Sequence, residues 1–214
     1  MVILYTLHGN GYIDLKDLDT YKGITCYVNS TNRCSCACTF CLRNTIEMLE
    51  SNSLWLKREP TVEMIIAEFE KYDLTAFKEV VFCGFGEPLT RHDDLMKVAK
   101  YIKEKRSDLS IRINTNGLSS ITLGRDIAPD FKGVIDTVSI SLNAPTKEEY
   151  YELTRACYGV DSFNYMLQFT KACKKYVPSV VLTVVDIIGV EKIKLCQKIA
   201  DGLGVELRVR PFEE

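Results

Sequence analysis

The stretch Glu79-Val80-Val81-Phe82-Cys83-Gly84-Phe85-Gly86-Glu87-Pro88 decides how the chain is built. Its first five residues, rich in β-branched and aromatic side chains, read as a buried strand, Glu79–Cys83. The two glycines mark a tight exit, and the turn leads from strand to helix. Beyond it Leu95, Val98, Ala99 and Ile102 recur at i, i+3, i+4 and i+7, the spacing of a helix with one buried face.

The same strand-to-helix unit repeats on both sides. Strand-like runs lie at Gly23–Asn29, Ile111–Asn114, Thr137–Leu142, Val180–Asp186 and Glu206–Arg210. Between them, Val62, Ile65, Ile66 and Phe69 keep helical spacing after the start signal Pro60-Thr61. Thr146 with Glu149 is a capping box, and Gly204 is placed to end the last helix. Strands separated by helices imply a parallel α/β sheet with right-handed crossovers. A doubly wound open sheet and an incomplete (βα)6 barrel both satisfy the pattern, and 214 residues are few for an eight-stranded barrel. The chain reads as one domain over residues 23–214, preceded by an N-terminal extension over residues 1–22. Ser51-Asn52-Ser53 reads only as a loop.

Composition narrows the function classes. A net charge of −2 gives no broad basic field for non-specific nucleic-acid binding. The most apolar run, Val180 to Val190, is broken by Thr183, Asp186 and Gly189 and falls short of a membrane span. Met1-Val2-Ile3-Leu4-Tyr5 has no basic region before it and does not read as a signal peptide. Nine cysteines without a secretory signal suit a reducing cytoplasm, where a clustered, odd set serves metal binding better than disulfides.

In parallel α/β folds active sites form at the carboxyl ends of strands, and the notable sequences fall there. The first strand is followed by Asn32-Arg33-Cys34-Ser35-Cys36-Ala37-Cys38-Thr39-Phe40-Cys41, the second by Gly84-Phe85-Gly86-Glu87-Pro88. Asn114-Thr115-Asn116-Gly117 and Ser141-Leu142-Asn143-Ala144-Pro145 follow the third and fourth. Cys34, Cys38 and Cys41 have CxxxCxxC spacing with an aromatic before the last thiol. Three thiolates can hold a [4Fe–4S] cluster and leave one iron open to a small molecule. Structural zinc usually takes four ligands in paired knuckles, and no second pair is present. Cys36, two residues from both Cys34 and Cys38, is awkwardly placed to ligate beside them and reads as a spectator thiol.

With these residues the chain resembles the radical S-adenosylmethionine (SAM) superfamily. Cys34, Cys38 and Cys41 match its cysteine signature. Phe85-Gly86-Glu87-Pro88 looks like its GGEP motif with Phe in the first place, and Ser141-Leu142-Asn143 falls at its ribose motif. The phrases Asn29–Cys34, Ser53-Leu54-Trp55-Leu56, Val81–Pro88 and Ile111–Gly117 are similar to the small radical SAM proteins linked to TatD-type nucleases. The resemblance implies a single-domain α/β fold, a partial (βα)6 TIM-like barrel. It implies a [4Fe–4S] cluster on Cys34, Cys38 and Cys41, with SAM chelating the open iron. Gly86 would let the backbone approach the methionine moiety, Glu87 would accept from the SAM ammonium, and Phe40 would lie against the adenine. Ser141 and Asn143 suit the ribose hydroxyls, and Asn116 the carboxylate or ribose. The implied chemistry is reductive cleavage of SAM to a 5′-deoxyadenosyl radical that abstracts hydrogen from a substrate. A flavodoxin- or ferredoxin-type donor would supply electrons, and a minimal barrel leaves its side open to a peptide, protein or nucleic acid.

Other residues carry weaker readings. Asp186 and Arg210, ending the fifth and sixth strands, are candidate contacts or solvated charges. His8 and His92 read as surface or capping residues, and Cys26, Cys83, Cys173 and Cys196 as core. Cys157, in a loop, is a candidate reactive thiol. Two superfamily rivals are a glycyl-radical activase and a 7-carboxy-7-deazaguanine synthase-like enzyme. From other classes come a non-catalytic iron–sulfur electron carrier, a SAM-binding scaffold and a structural zinc protein.

Overall fold

A computed structural model describes residues 1–9, 11–44 and 54–212. Ser51-Asn52-Ser53 lies outside the described residues. The strands are β1 (Leu4–His8), β2 (Gly11–Asp14), β3 (Ile24–Val28), β4 (Phe77–Phe82), β5 (Ser110–Thr115), β6 (Thr137–Ser141), β7 (Ser179–Val185) and β8 (Glu206–Arg210). The helices between them are α1 (Val62–Phe69), α2 (His92–Lys105), α3 (Ser119–Leu123), α4 (Lys147–Thr154), α5 (Ser162–Cys173) and α6 (Val190–Leu203).

Local chemistry sets the helix ends. Thr61 caps α1 by accepting from the Met64 N–H, and Thr146 caps α4 by accepting from the Glu149 N–H. The Glu149 carboxylate takes the Thr146 hydroxyl as its donor, where a full capping box would use the Thr146 backbone N–H. Gly204, at φ 63°, supplies the left-handed residue that ends α6.

Among the described residues all strands join one sheet in the order β2-β1-β3-β4-β5-β6-β7-β8. Pairing from β3 to β8 is parallel throughout, so the expected parallel core is present and its strand exits share one rim. The first residues form an antiparallel hairpin, β1–β2, that pairs with β3 and lengthens the sheet. The edges are β2 and β8, so the sheet curves as an open, partial barrel.

Alternation along the strands divides their side chains between two faces. Val80 and Phe82, Ile111 and Ile113, Val138 and Ile140, and Leu182 and Val184 enter the core beneath the helices. Cys26, Cys173 and Cys196 are fully buried there, as the sequence suggests. The opposite face carries Tyr27, Cys83, Arg112, Asn114, Ser141 and Arg210 and lines a cavity. No helix among the described residues is long and apolar enough to cross a membrane.

His92, expected at the surface or at a helix end, stands at a helix end and is buried there. It opens α2 but is only 3% exposed, packed against Phe131 and flanked by Asp93 at 2.9 Å and Asp130 at 3.3 Å. Asp93 partners Nδ1, whereas the buried Nε2 has no hydrogen-bond partner although Asp130 lies near it.

Candidate functional site

The four strand exits converge on a cavity of about 450 Å³. Cys34, Cys38, Phe40, Cys41, Gly86, Glu87, Asn116, Ser141 and Asn143 all line it, so the residues expected to hold the cluster and SAM are brought to one place. Another hollow, about 380 Å³ and lined by Tyr72, Asp73, Tyr101 and Lys105, contains none of them.

The cysteine loop is held at several points. Ala37 and Thr39 donate N–H bonds to the Thr154 and Leu153 carbonyls at the end of α4, and Cys157 donates to the Ser35 carbonyl. Cys157 is itself exposed. Arg43 donates from Nε to Cys41 Sγ at 3.2 Å, and Asn116 Nδ2 reaches Ser35 Oγ at 3.0 Å, Cys36 Sγ at 3.6 Å and Cys34 Sγ at 3.8 Å.

Within the loop the Cys36 thiol lies in hydrogen-bonding reach of the Cys34 and Cys38 sulfurs. These hydrogen bonds lower Cys34 to about 6 and lower Cys38 as well, while they and burial hold Cys36 well above the usual thiol range. Cys36 thus sits as the donor between the two sulfurs, and the contacts favour thiolate character on Cys34 and Cys38. Among the described residues no three His, Cys, Asp or Glu side chains converge on the position of a single ion.

Glu87 joins three loops. Its backbone N–H donates to the Arg33 carbonyl at 2.7 Å. Oε1 accepts from Thr115 Oγ1 at 2.7 Å and the Leu89 N–H at 3.1 Å, and Oε2 accepts from the Asn116 N–H at 2.7 Å. A carboxylate has about four acceptor sites, so one remains. Burial, and then the Cys34 charge, raise its pKa to about 7. The close approach that Gly86 permits is to protein backbone: a Cβ there would lie 2.4 Å from the Thr31 oxygen and 2.6 Å from the Arg33 oxygen. Phe85 stands 5.1 Å from Trp55, edge to face, in a small cluster with Tyr5 and Leu54.

Asn143 takes φ 57°, which asparagine tolerates better than most residues, and its buried Oδ1 has no partner. Tyr150, fully buried on α4, likewise leaves its hydroxyl unpartnered while lining the cavity. Sequence reading missed Tyr150, because a helical period gives core and cavity the same signal.

Cys83 is a correction. It follows β4 on the face of Glu79 and Val81, lies half-buried and lines the cavity instead of filling the core. Arg112, also unforeseen, meets Glu79 in a two-point ion pair at 3.2 and 2.9 Å. Arg210 stands at the cavity mouth, whereas Asp186 is not in the lining and accepts from the Phe212 N–H at 2.9 Å.

Residues 28–195 match the model of the radical SAM superfamily, and the chain belongs to that family. A curated relative, the dual-specificity RNA methyltransferase RlmN of Syntrophus aciditrophicus, is 25% identical over 81% of this chain and 48% of its own length. Among solved structures, methylornithine synthase is similar with a TM-score of 0.64 and 18% identity, over 88% of this chain and 53% of that one. Streptococcus suis SuiB bound to S-adenosylmethionine matches with a TM-score of 0.59 and 17% identity, over 88% of this chain and 38% of that one. This chain spans about half or less of the length of the curated relatives it matches. The structural likenesses show the shared partial-barrel fold.

Family membership implies a [4Fe–4S] cluster and SAM, and the residues present fit both. Cys34, Cys38 and Cys41 line one cavity, and cysteine thiolates are the donors an iron–sulfur cluster takes. The unpartnered, buried Asn143 Oδ1 and Tyr150 hydroxyl face the same cavity and await polar partners.

Proposed function

We propose that this chain is a radical SAM enzyme whose Cys34, Cys38 and Cys41 hold a [4Fe–4S] cluster beside a SAM-filled cavity. The observation that carries this reading is the convergence of these thiols with Glu87, Asn116 and Asn143 on one cavity. When bound, the two cofactors supply hydrogen abstraction from an unreactive carbon, begun by one-electron cleavage of SAM.

The protein's part is positioning and exclusion. The remaining acceptor site of Glu87 receives the SAM ammonium, and Asn143 and Ser141 take the ribose hydroxyls. Phe40, half-buried and outside the core clusters, offers a face to the adenine. Asn116 orders the cysteine loop as well as bordering the cavity. Cys36 keeps its proton and donates to the ligating sulfurs, which tunes them without ligation.

The open sheet edges leave room for a bulky substrate, and a peptide, protein or nucleic acid fits that opening. A flavodoxin- or ferredoxin-type donor supplies electrons, in the cytoplasm. The sequence phrases around Cys34, Trp55, Gly84 and Asn114 support kinship with the TatD-linked group and a functional tie to such a nuclease.

The test is electron paramagnetic resonance of the anaerobically reconstituted, dithionite-reduced protein with and without SAM. A [4Fe–4S]+ signal that shifts on adding SAM, and is lost in Cys34→Ala, Cys38→Ala and Cys41→Ala but kept in Cys36→Ala, is the expected result. A signal indifferent to SAM would favour an electron carrier, and absence of a reconstitutable cluster would refute both.

A further inference from the structure

Of the cysteines outside the metal-binding loop, Cys83 is the one that lines the cavity. Cys26, Cys173 and Cys196 are sealed in the helix-side core, and Cys157 sits on the outer surface. Cys83 follows the strand that leads into Gly86-Glu87, and its N–H is bonded to the Val28 carbonyl at 3.2 Å. The turn behind it is fixed, because a Cβ on Gly84 would meet Asn29 Oδ1 at 2.4 Å. The unpartnered Asn143 Oδ1 and Tyr150 hydroxyl independently mark the same cavity as one that a ligand fills.

Phenols flank the thiol. The Tyr5 hydroxyl donates to the Cys83 carbonyl at 3.3 Å, and the Tyr5 ring stacks on Tyr27 at 5.2 Å and meets Tyr12 edge-on at 5.5 Å. This side of the cavity therefore combines a cavity-lining thiol with oxidisable rings, whereas the thiols on the helix-facing side of the sheet are sealed in the core. A thiol S–H bond is weaker than most C–H bonds, and the reactivity of a cysteine, more than its packing, sets its use.

We propose that Cys83 is a catalytic residue, the hydrogen-atom donor that returns hydrogen to the substrate carbon. The inference rests on the radical chemistry proposed for the same cavity. Abstraction leaves a carbon-centred radical on the substrate. The Cys83 S–H bond breaks homolytically, a new C–H bond forms, and a thiyl remains on Sγ. One electron from a second equivalent of the reduced flavodoxin- or ferredoxin-type donor, with a proton from solvent, restores the thiol. In sum SAM, two electrons and one proton become methionine and 5′-deoxyadenosine. The substrate leaves with its formula unchanged, so the reaction class is inversion at carbon, with SAM consumed.

The experiment uses the reconstituted holoprotein in deuterated, thiol-free buffer with SAM and dithionite and no added substrate. The test is run in a Cys36→Ala background, which removes the other non-ligating thiol of the cavity, so the exchanged Cys83 S–D is the thiol donor there and the 5′-deoxyadenosine formed carries deuterium. Cys83→Ser keeps the size and an exchangeable hydrogen but replaces the weak bond by a strong O–H, and it should lose the label while keeping the SAM-induced resonance change. In the wild-type holoprotein, S-adenosylhomocysteine should shield Cys83 from iodoacetamide and leave Cys157 labelled as before. Deuterium that persists in Cys83→Ser, or alkylation of Cys83 indifferent to S-adenosylhomocysteine, would overturn the assignment. If the wild type neither cleaves SAM nor changes its resonance with it, the radical reading itself falls and this inference with it.

Discussion

Replacing Gly86 by Ala tests how the cysteine loop is positioned. The added Cβ would stand 2.4 Å from the Thr31 oxygen and 2.6 Å from the Arg33 oxygen, both backbone atoms that cannot swing aside. Restoring ordinary contact requires the turn and the loop to part by about 1 Å. Overpacking of this kind costs about 1–3 kcal/mol. The same parting stretches the 2.7 Å bond from the Glu87 N–H to the Arg33 carbonyl, a further loss of about 1 kcal/mol. For a chain of this length that corresponds to a melting temperature lower by roughly 5–15 °C. Arg33 directly precedes Cys34, so iron retained after reconstitution should fall as well. Gly202→Ala is the control: it lies in α6 with nothing within 4 Å of the new Cβ, and it should stabilise by about 0.5–1 kcal/mol. Melting curves and iron per chain are the assays. A Gly86→Ala protein with wild-type melting and iron content would refute the account of the loop contact.

The buried carboxyl and the ion pair yield two more expectations. Glu87 has its pKa raised from 4.5 to about 7 in the cofactor-free fold, so the folded chain binds more protons than the unfolded chain between those values. The Glu87 contribution to the stability of the cofactor-free protein should therefore fall as pH rises through that window, by up to roughly 3 kcal/mol, and the wild-type slope should differ from that of Glu87→Gln by this amount. Denaturant titrations across pH read this directly, and identical slopes in both proteins would refute it. Arg112→Met leaves the largely buried Glu79 carboxylate unpaired and should destabilise by about 2–4 kcal/mol, while adding Glu79→Leu should recover most of the loss. A double variant no more stable than the single one would show that the pair is not the cause.

The parallel core was legible because strand and helix periods alternate cleanly from Gly23 onward, and Thr61, Thr146 and Gly204 are local signals that tertiary contacts did not override. The β1–β2 hairpin was less so: its strands are short, and Gly9–Gly11 looked only like the polar end of an apolar start. The gathering of the strand exits at one rim followed from the fold. What each residue touches did not follow. Gly86 meets carbonyls of a segment more than fifty residues away in the chain, and Asn116 bonds a loop some eighty residues away, contacts that no local pattern encodes. Cys83 could have been found, since alternation puts it on the side of Glu79 and away from Val80 and Phe82. Its apolar neighbours in sequence hid that.

The bonds from Glu87 to Arg33, Leu89, Thr115 and Asn116, and from Asn116 to Ser35, close a ring through the segments following β3, β4 and β5. That ring is complete in the protein without its cofactors. The entropy of ordering these segments is thus lost during folding, leaving little reorganisation for the moment of cofactor entry. Cluster insertion becomes docking into a shaped receptacle, and its rate should depend on access through the open side of the barrel more than on any rearrangement of the chain.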